Sequence, residues 1–415
     1  MPRIIKVIIV TSIALLVLIA TCSPLQRPRT VIAPASALQA AYSAQPTAAP
    51  TTRPPADPPT APAVATPVPL AASATSAPLV ALVVPENASA AVAQPSATPA
   101  PLATQPAGQL ARTIDSYLND LVGVGWFQGT VLVARDGEVL LDKGYGLADA
   151  AQRLPNTPQT RFRLASLTKQ FTAMAIMILQ TRGQLNVQDS ICSYLDNCPD
   201  AWRPISIRHL LTHTSGLPNY TDLADYPTTQ MQPTTPDQLV ARFHDLPLLF
   251  PPGTQYLYEN SDYVLLGLIV ERASGQRYGD FLREAIFAPL EMHDTGVDQN
   301  NGAVAGQALG YTQVGVPALA LDTSTLFGAG SLYSTVEDLY RWDQALYTTK
   351  LLPQPQLDAM WMPYLREYGY GWRIGHLNGH RKISHPGLIN GFANAIVRLP
   401  DDRVTVIVLG NLDSA

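Results

Sequence analysis

The chain has 415 residues, of which 47% are hydrophobic and only 14% charged, and its formal net charge is -5. This length suits one large domain or two ordinary ones, and the negative balance gives no basic surface of the kind that a nucleic-acid partner needs. Three cysteines are too few for a fold built on disulfides.

The first 22 residues have the pattern of an export signal. Arg3 and Lys6 precede an uncharged apolar stretch, 7–20, which is shorter than the ~20 residues of a membrane-spanning helix. The stretch ends in Leu-Ile-Ala-Thr-Cys, which resembles a lipobox with Cys22 as the lipidated residue, although Thr21 departs from the usual Gly or Ala. We predict a signal peptide or lipoprotein signal over 1–22 and an exported, membrane-anchored protein. A plain signal peptide and an uncleaved anchor stay open.

Residues 23–108 are predicted to form a disordered tether. They hold 18 of the 37 prolines, together with much Ala, Thr and Ser. Such a segment cannot bury enough apolar surface to offset its ordering entropy, and its proline density favours extended, semi-stiff conformations.

From residue 109 the pattern is that of a folded domain. Apolar spacing predicts helices over 110–122, 164–179, 206–213, 261–275 and 336–347. Alternation predicts a hairpin over 129–146 that turns at Asp136-Gly137, and strands over 368–374, 381–387, 391–400 and 403–411. The simplest packing is an α+β fold, in which an antiparallel sheet holds both ends of the domain and a helical region is inserted between them.

Ser166 and Lys169 open the apolar stretch 164–179. On a helix, side chains three residues apart share a face, and a serine in the first turn lies where free N–H groups favour developing negative charge. Burial would lower the pKa of the lysine and let it help to deprotonate the serine. The alternative is a capping serine beside a lysine that extends to solvent, and the short pattern alone does not exclude it.

Tyr258 and Asn260 are two residues apart, so an extended segment would point both side chains the same way. The phenol can move a proton between a serine and a leaving group, and the amide can bind a substrate carbonyl. The alternative is a buried tyrosine beside a helix-capping asparagine.

His385 and Gly387 lie on a predicted strand near the end of the chain. A glycine there would let a substrate backbone lie against the strand edge, and the histidine can donate a hydrogen bond to a substrate carboxylate or carbonyl. The alternative is a histidine at a strand end before a Pro-Gly turn.

In this order, Ser-x-x-Lys, Tyr-x-Asn and His-x-Gly resemble the serine beta-lactamase and penicillin-binding-protein superfamily. Within it they are similar to the group of class C beta-lactamases, DD-peptidases, D-aminopeptidases and related esterases. Four stretches carry the same resemblance: 162–173, 210–220, 250–271 and 328–342. The resemblance implies a beta-lactamase/transpeptidase-like fold for 109–415. Members of the group continue into a C-terminal helix after the last strand, which predicts a truncated sequence.

The resemblance also implies roles for the motif residues. Ser166 would be the acylated nucleophile, Lys169 and Tyr258 would share the general-base and proton-shuttle work, and Asn260 would bind the substrate amide. The backbone N–H groups of Ser166 and Leu388 would form the oxyanion hole.

His385 takes the place of the lysine in the Lys-Thr-Gly of true beta-lactamases. Because that exchange weakens a permanent positive charge, it argues against a dedicated beta-lactamase. Gly387 completes the His-x-Gly motif.

Other residues with ligand chemistry receive no catalytic role. His209 and His213 have metal-ligand spacing, but no Glu follows His209 as the zinc motif H-E-x-x-H requires, so we assign no metal and no cofactor. Cys192 and Cys198 either pair or remain free thiols.

The sequence thus predicts an exported serine hydrolase that acts on a small-molecule or short-peptide amide or ester through an acyl-enzyme on Ser166. A D-alanyl-type peptidase or esterase is the first interpretation and a beta-lactamase the second. A catalytically idle protein that binds penicillin or wall peptides is the third.

Overall fold

The computed structural model describes residues 108–298 and 304–413. The signal predicted over 1–22, with Cys22, and the tether predicted over 23–108 lie outside the described residues, apart from Gly108. None of the helices found within the described ranges is both long enough and apolar enough to cross a bilayer.

In the described part of the chain, short strands follow the first helix, a largely helical stretch comes next, and four strands end it. A 3-10 turn, Ala165–Leu167, leads into the central helix. The α-helices are α1 (Gln109–Gly123), α2 (Thr168–Thr181), α3 (Ile207–Leu211), α4 (Tyr226–Thr229), α5 (Pro236–Ala241), α6 (Ser261–Ser274), α7 (Tyr278–Leu282), α8 (Phe327–Gly330), α9 (Val336–Ala345) and α10 (Gln354–Met360). The strands are β1 (Gly129–Arg135), β2 (Glu138–Tyr145), β3 (Leu147–Asp149), β4 (Leu154–Pro155), β5 (Phe162–Arg163), β6 (Gly296–Val297), β7 (Tyr311–Gln313), β8 (Val316–Pro317), β9 (Leu332–Ser334), β10 (Arg373–Leu377), β11 (His380–Ile389), β12 (Phe392–Leu399) and β13 (Val404–Gly410).

The main sheet joins the two ends of the domain. Its six strands lie in the order β10-β11-β12-β13-β1-β2, and every neighbouring pair is antiparallel. β1 pairs with β13 from Gly129↔Gly410 to Arg135↔Val404. The first hairpin of the domain therefore closes on its last strand, as the sequence predicts, and the helical region is inserted between them.

Alternation along the strands places two apolar clusters on opposite faces of the sheet. In β1, Leu132 and Ala134 belong to the large cluster under the helical region, whereas Val131 and Val133 belong to a second cluster with Leu118 of α1. A period of two along an extended chain produces this division.

The strand predicted over 368–374 is largely wrong. Only Arg373 and Ile374 belong to β10, which continues to Leu377. Gly371 has a φ of 74° and lies against the backbone of Lys169. Because that φ is left-handed, the chain turns here instead of extending, and the turn packs on the head of α2.

α2 is the central helix. Every residue from Thr168 to Leu179 is buried, and the helix packs against α6 and α8. A helix that is apolar on nearly all sides needs such neighbours all around it. The 3-10 turn that precedes α2 is therefore attached to a rigid helix.

Cys192 and Cys198, whose pairing the sequence leaves open, form a disulfide in the structure. Their Cα atoms are 5.3 Å apart and the S–S distance is 2.07 Å. The bond closes a six-residue loop beside the helical region.

Candidate active site

Ser166 lies in the 3-10 turn just before α2, not in the α-helix itself. The preceding residue, Ala165, is fully buried and has a φ of 50°, a region that costs a non-glycine residue free energy. The Leu164 N–H donates to the Leu332 carbonyl at 2.7 Å, which fixes the turn on β9. Residues held in such conformations cluster at functional sites, and this one presents a half-buried serine hydroxyl.

Lys169 is completely buried, and its Nζ has three oxygen neighbours. It lies 3.2 Å from Ser166 Oγ, 2.8 Å from Asn260 Oδ1 and 2.9 Å from the Ala329 carbonyl. Burial lowers the pKa of Lys169 to about 7, against the opposite effect of Glu259 and Asp262. The alternative of a lysine that extends to solvent is therefore excluded.

Tyr258 and Asn260 lie on the other side of Lys169. The Tyr258 ring centroid is 5.0 Å from Lys169 Nζ. Burial raises the pKa of Tyr258 to about 12, although a hydrogen bond with Ser166 and the charge of Arg373 act in the opposite direction. Asn260 precedes α6 but makes no side-chain capping bond, and its Oδ1 accepts from Lys169 instead.

His385 lies on β11 and is almost completely buried. Its Nδ1 is 2.6 Å from the Pro386 carbonyl, and its Nε2 is 2.9 Å from the Tyr368 hydroxyl. A carbonyl only accepts, so Nδ1 carries the proton and Nε2 accepts from the tyrosine. Burial lowers the pKa of His385 to about 3, so the ring is neutral at pH 7. In this arrangement both ring nitrogens have intramolecular partners, and the predicted donation to a substrate stays a prediction.

Gly387 packs closely against the turn that carries Ser166. A β-carbon at this position would collide with the Leu164 carbonyl and come within 2.8 Å of Leu167 Cδ1. The missing side chain therefore lets β11 lie against that turn, and the predicted contact with a substrate backbone stays a prediction. Leu388 follows, half-buried and paired with Ala393 of β12.

Replacing Gly387 with alanine is expected to lower kcat/KM by at least tenfold, because even a displacement of about 1 Å at the nucleophile costs about 100-fold in rate. The melting temperature should fall as well, since backbone atoms must move to admit the methyl group. Steady-state kinetics and thermal unfolding measure both effects. The matched control is Gly123→Ala, at the end of α1, where a β-carbon would meet no atom within 4 Å and the φ is not positive. A normal rate for Gly387→Ala would refute the close packing.

Arg373, which the motifs do not indicate, stands at the edge of the site. It begins β10 opposite Ser384 of β11, it is exposed, and its guanidinium carbon is 5.7 Å from the Tyr258 ring centroid. β10 pairs with β11 only as far as Ser384, which leaves residues 385–389 without a strand partner on that side among the described residues. Arg373 therefore provides a positive charge where the open part of β11 begins.

A serine whose hydroxyl lies beside a buried lysine, at the head of a core helix that flanks an antiparallel sheet, defines a serine acyl hydrolase of α+β fold. Residues 110–415 match the family model described as Beta-lactamase, and the chain belongs to that family of serine hydrolases. The family membership and the fold predicted from the sequence are both confirmed.

Three known proteins illustrate the relationship. Penicillin-binding protein 4* of Bacillus subtilis (strain 168) is 31% identical over 69% of this chain and 68% of its own. A penicillin-binding protein from Bacillus halodurans superposes with a TM-score of 0.64 at 29% identity, over 72% of this chain and 95% of that one. A D-stereospecific amidohydrolase from Streptomyces sp. gives a TM-score of 0.63 at 27% identity, over 72% and 94%.

Proposed function

We propose that this chain cleaves an amide or ester bond of a short peptide or small molecule through a covalent acyl-enzyme on Ser166. The observation that supports the proposal is the 3.2 Å contact between Ser166 Oγ and Nζ of the buried Lys169, whose pKa lies near 7. An amine that is partly neutral at physiological pH, next to a hydroxyl, is the arrangement that activates a serine.

The contacts of Lys169 favour it as the general base. A neutral amine has two N–H groups and one lone pair. Its two shorter contacts, at 2.8 and 2.9 Å, go to the side-chain carbonyl of Asn260 and the main-chain carbonyl of Ala329, which only accept. The lone pair is then left for the Ser166 proton. Tyr258, with a pKa of about 12, remains protonated and suits the donation of a proton to the leaving group.

The reaction then has two halves. Ser166 Oγ attacks the substrate carbonyl as its proton passes to Lys169, the leaving group departs with a proton from Tyr258, and the acyl-enzyme remains. In the second half, water attacks the acyl ester and gives one proton to Tyr258, while Lys169 returns its proton to Ser166 Oγ as the acid product is released. The N–H groups of Ser166 and Leu388 are proposed to bind the oxyanion, where each such donor is worth ~2.7–4 kcal/mol in the transition state.

We propose that the preferred substrate carries a carboxylate near the scissile bond, as a D-alanyl-type peptide does. Two observations support this: His385 is neutral, and Arg373 supplies an exposed positive charge beside Tyr258. The names of the relatives, penicillin-binding proteins and a D-stereospecific amidohydrolase, agree with such a substrate. A beta-lactam also carries a carboxylate, so beta-lactamase activity is the second candidate. From residues 1–22 we further propose export and anchoring to a membrane.

The test uses the full-length chain with a fluorescent penicillin, a peptide that ends in D-Ala-D-Ala and a short-chain p-nitrophenyl ester. Release of D-alanine with a long-lived penicillin label supports a peptidase. Rapid loss of the penicillin supports a beta-lactamase, and ester turnover alone supports an esterase. Penicillin binding without a covalent label or any turnover would support the idle binding protein and refute the proposed function.

Arg373→Ala is expected to lower kcat/KM at least about tenfold for the peptide with a free C-terminal carboxylate, because hydrogen bonds to charged groups contribute about 1.5–3 kcal/mol. The same peptide with an amidated C-terminus should change less than about twofold, since the charge it lacks is the one Arg373 binds. The matched control is Arg381→Ala, on the neighbouring strand. An equal loss of kcat/KM on both peptides would show that Arg373 does not bind the C-terminal carboxylate.

A further inference from the structure

Two carboxyl side chains, Glu259 and Asp262, are buried directly behind the proposed site. They are 1% and 0% exposed. Glu259 lies between Tyr258 and Asn260 in the sequence, and its Oε1 accepts from the Asp262 N–H at 2.6 Å, at the start of α6. Its Oε2 has no hydrogen-bond partner. The motif Tyr-x-Asn does not specify the middle residue, and the proposed reaction does not use it.

The pair and Lys169 interact electrostatically. Burial raises the pKa of both carboxyl groups, and an oxygen of each lies within 4.8 Å of an oxygen of the other. Both carboxyl groups also act on Lys169, where they oppose the effect of burial on its pKa. For two adjacent carboxyl groups without water around them, the state with one shared proton and one negative charge has a lower free energy than the state with two negative charges.

Other titratable or charged groups surround this pair. His213 is the nearest, with Nδ1 at 3.4 Å from Asp262 Oδ2, and it is fully buried. Burial together with the positive groups Lys169 and Arg373 keeps the pKa of His213 low, so it adds no positive charge. The tyrosines that interact with the pair are Tyr220, Tyr258 and Tyr263. Arg373 and His385 act on His213.

A purely structural role does not account for two acids. Glu259 satisfies one N–H at the start of α6, but the neutral amide of a glutamine would accept the same bond. Burying a carboxyl group costs free energy that such an amide avoids. The charge therefore calls for an explanation, and Lys169, on which both carboxyl groups act, becomes positively charged during the proposed reaction.

We propose that Glu259 and Asp262 form a proton-sharing carboxyl pair that acts as the counter-charge of Lys169. The inference rests on the proposed function of the site. When Lys169 takes the Ser166 proton, a buried ammonium forms, and the single negative charge of the pair stabilises it as the reaction proceeds. The two acids are positioning residues that act through Lys169 and do not touch the substrate. The carboxyl pair would thus be the third partner of Ser166 and Lys169. It would stabilise the protonated base, as the acid of a catalytic triad does.

The test compares pH profiles of kcat/KM with a p-nitrophenyl ester for the full chain and its double variant, Glu259→Gln with Asp262→Asn, because either acid alone could still carry the single negative charge. Without the negative charge, the ammonium form of Lys169 is less stable, so the acid limb should move to lower pH by about one unit. The plateau rate should fall about three- to tenfold, because the base is weaker. A purely structural loss would lower the plateau without moving the limb.

A matched control comes from a second buried acid pair. Burial and the nearby Glu337 raise the pKa of Asp142 to about 7 on β2, away from the site, and Asp142→Asn should leave the limb in place. If the double variant, Glu259→Gln with Asp262→Asn, stays active and its acid limb does not move, the counter-charge is refuted while the proposed function stands. Wild type that forms no Ser166 adduct would refute the proposed function itself.

A bound metal ion could also neutralise the negative charge of Glu259 and Asp262, and this alternative is tested separately. His213, Glu259 and Asp262 each offer a ligand atom, and these atoms lie within 4.8 Å of one another. A stoichiometric ion found by elemental analysis of the purified chain, and lost with Glu259→Gln, would overturn the shared proton. Protein free of metal that keeps full activity after treatment with a chelator supports it.

Discussion

Ser166→Ala is expected to abolish the covalent adduct and to lower kcat/KM by at least about 10³-fold. The serine hydroxyl is the proposed nucleophile, and removing a nucleophile from a catalytic unit leaves only what the oxyanion hole and binding contribute. The loss should not come from unfolding, because Ser166 is half-buried and its side chain contributes only a small hydroxyl to the turn. Intact-protein mass after incubation with penicillin, with steady-state rates on the peptide and the ester, measures both effects.

Ser331→Ala is the matched control for that substitution. Ser331 is buried close to Ala329 in the chain, and its Oγ has no hydrogen-bond partner in the described part of the protein. The control should therefore keep the adduct and the rate within about twofold. A penicillin adduct that still forms in Ser166→Ala, or a rate like that of wild type, would show that another residue is the nucleophile and would refute the mechanism.

The sheet could be predicted from sequence because its signals are local. Alternation of apolar residues and the Asp136-Gly137 turn define the first hairpin, and the same alternation defines β12 and β13. Their pairing across the domain follows from the simplest way to bury a sheet face. The strand predicted over 368–374 fails because Gly371 turns the chain against Lys169, which is a tertiary contact.

The candidate site was only partly visible in the sequence. The order of the motifs brings Ser166, Lys169, Tyr258 and Asn260 into one interpretation, and the structure places them together. The left-handed conformation of Ala165 was not predictable, because alanine gives no sign of it. It is imposed by packing around the turn.

The charges of the site depend on packing as well. The sequence predicts His385 as a hydrogen-bond donor to the substrate. In the structure the ring is buried and neutral, and its two nitrogens contact the Tyr368 hydroxyl and the Pro386 carbonyl. Arg373 lies 12 positions earlier in the chain and reaches the site only because β10 pairs with β11. In the proposed function, Arg373 therefore supplies the positive charge for the substrate and His385 does not.

The pH dependence of the wild-type enzyme follows from the proposed base. Lys169 acts when it is neutral, and its pKa lies near 7 because it is buried. The neutral fraction grows as pH rises through the pKa, so kcat/KM should rise with a midpoint near pH 7 and then level off. An ordinary lysine, with a pKa of about 10.4, would be neutral in fewer than about one molecule in a thousand at pH 7. The burial of Lys169 is therefore a requirement of the mechanism.

Lys169→Met should lower kcat/KM by about 10²–10⁴-fold and remove the rise with pH, because methionine fills a similar volume but takes no proton. Ser166 would keep its place in the turn, since that turn is held by Leu164 and Leu332 and not by the lysine. Lys143→Met is the matched control. Lys143 lies on β2, at the opposite edge of the sheet from β10, and forms a salt bridge with Asp115 of α1. Its replacement should leave the pH profile of kcat/KM unchanged. An acid limb near pH 7 that survives in Lys169→Met would belong to another group, and Lys169 could then not be the base.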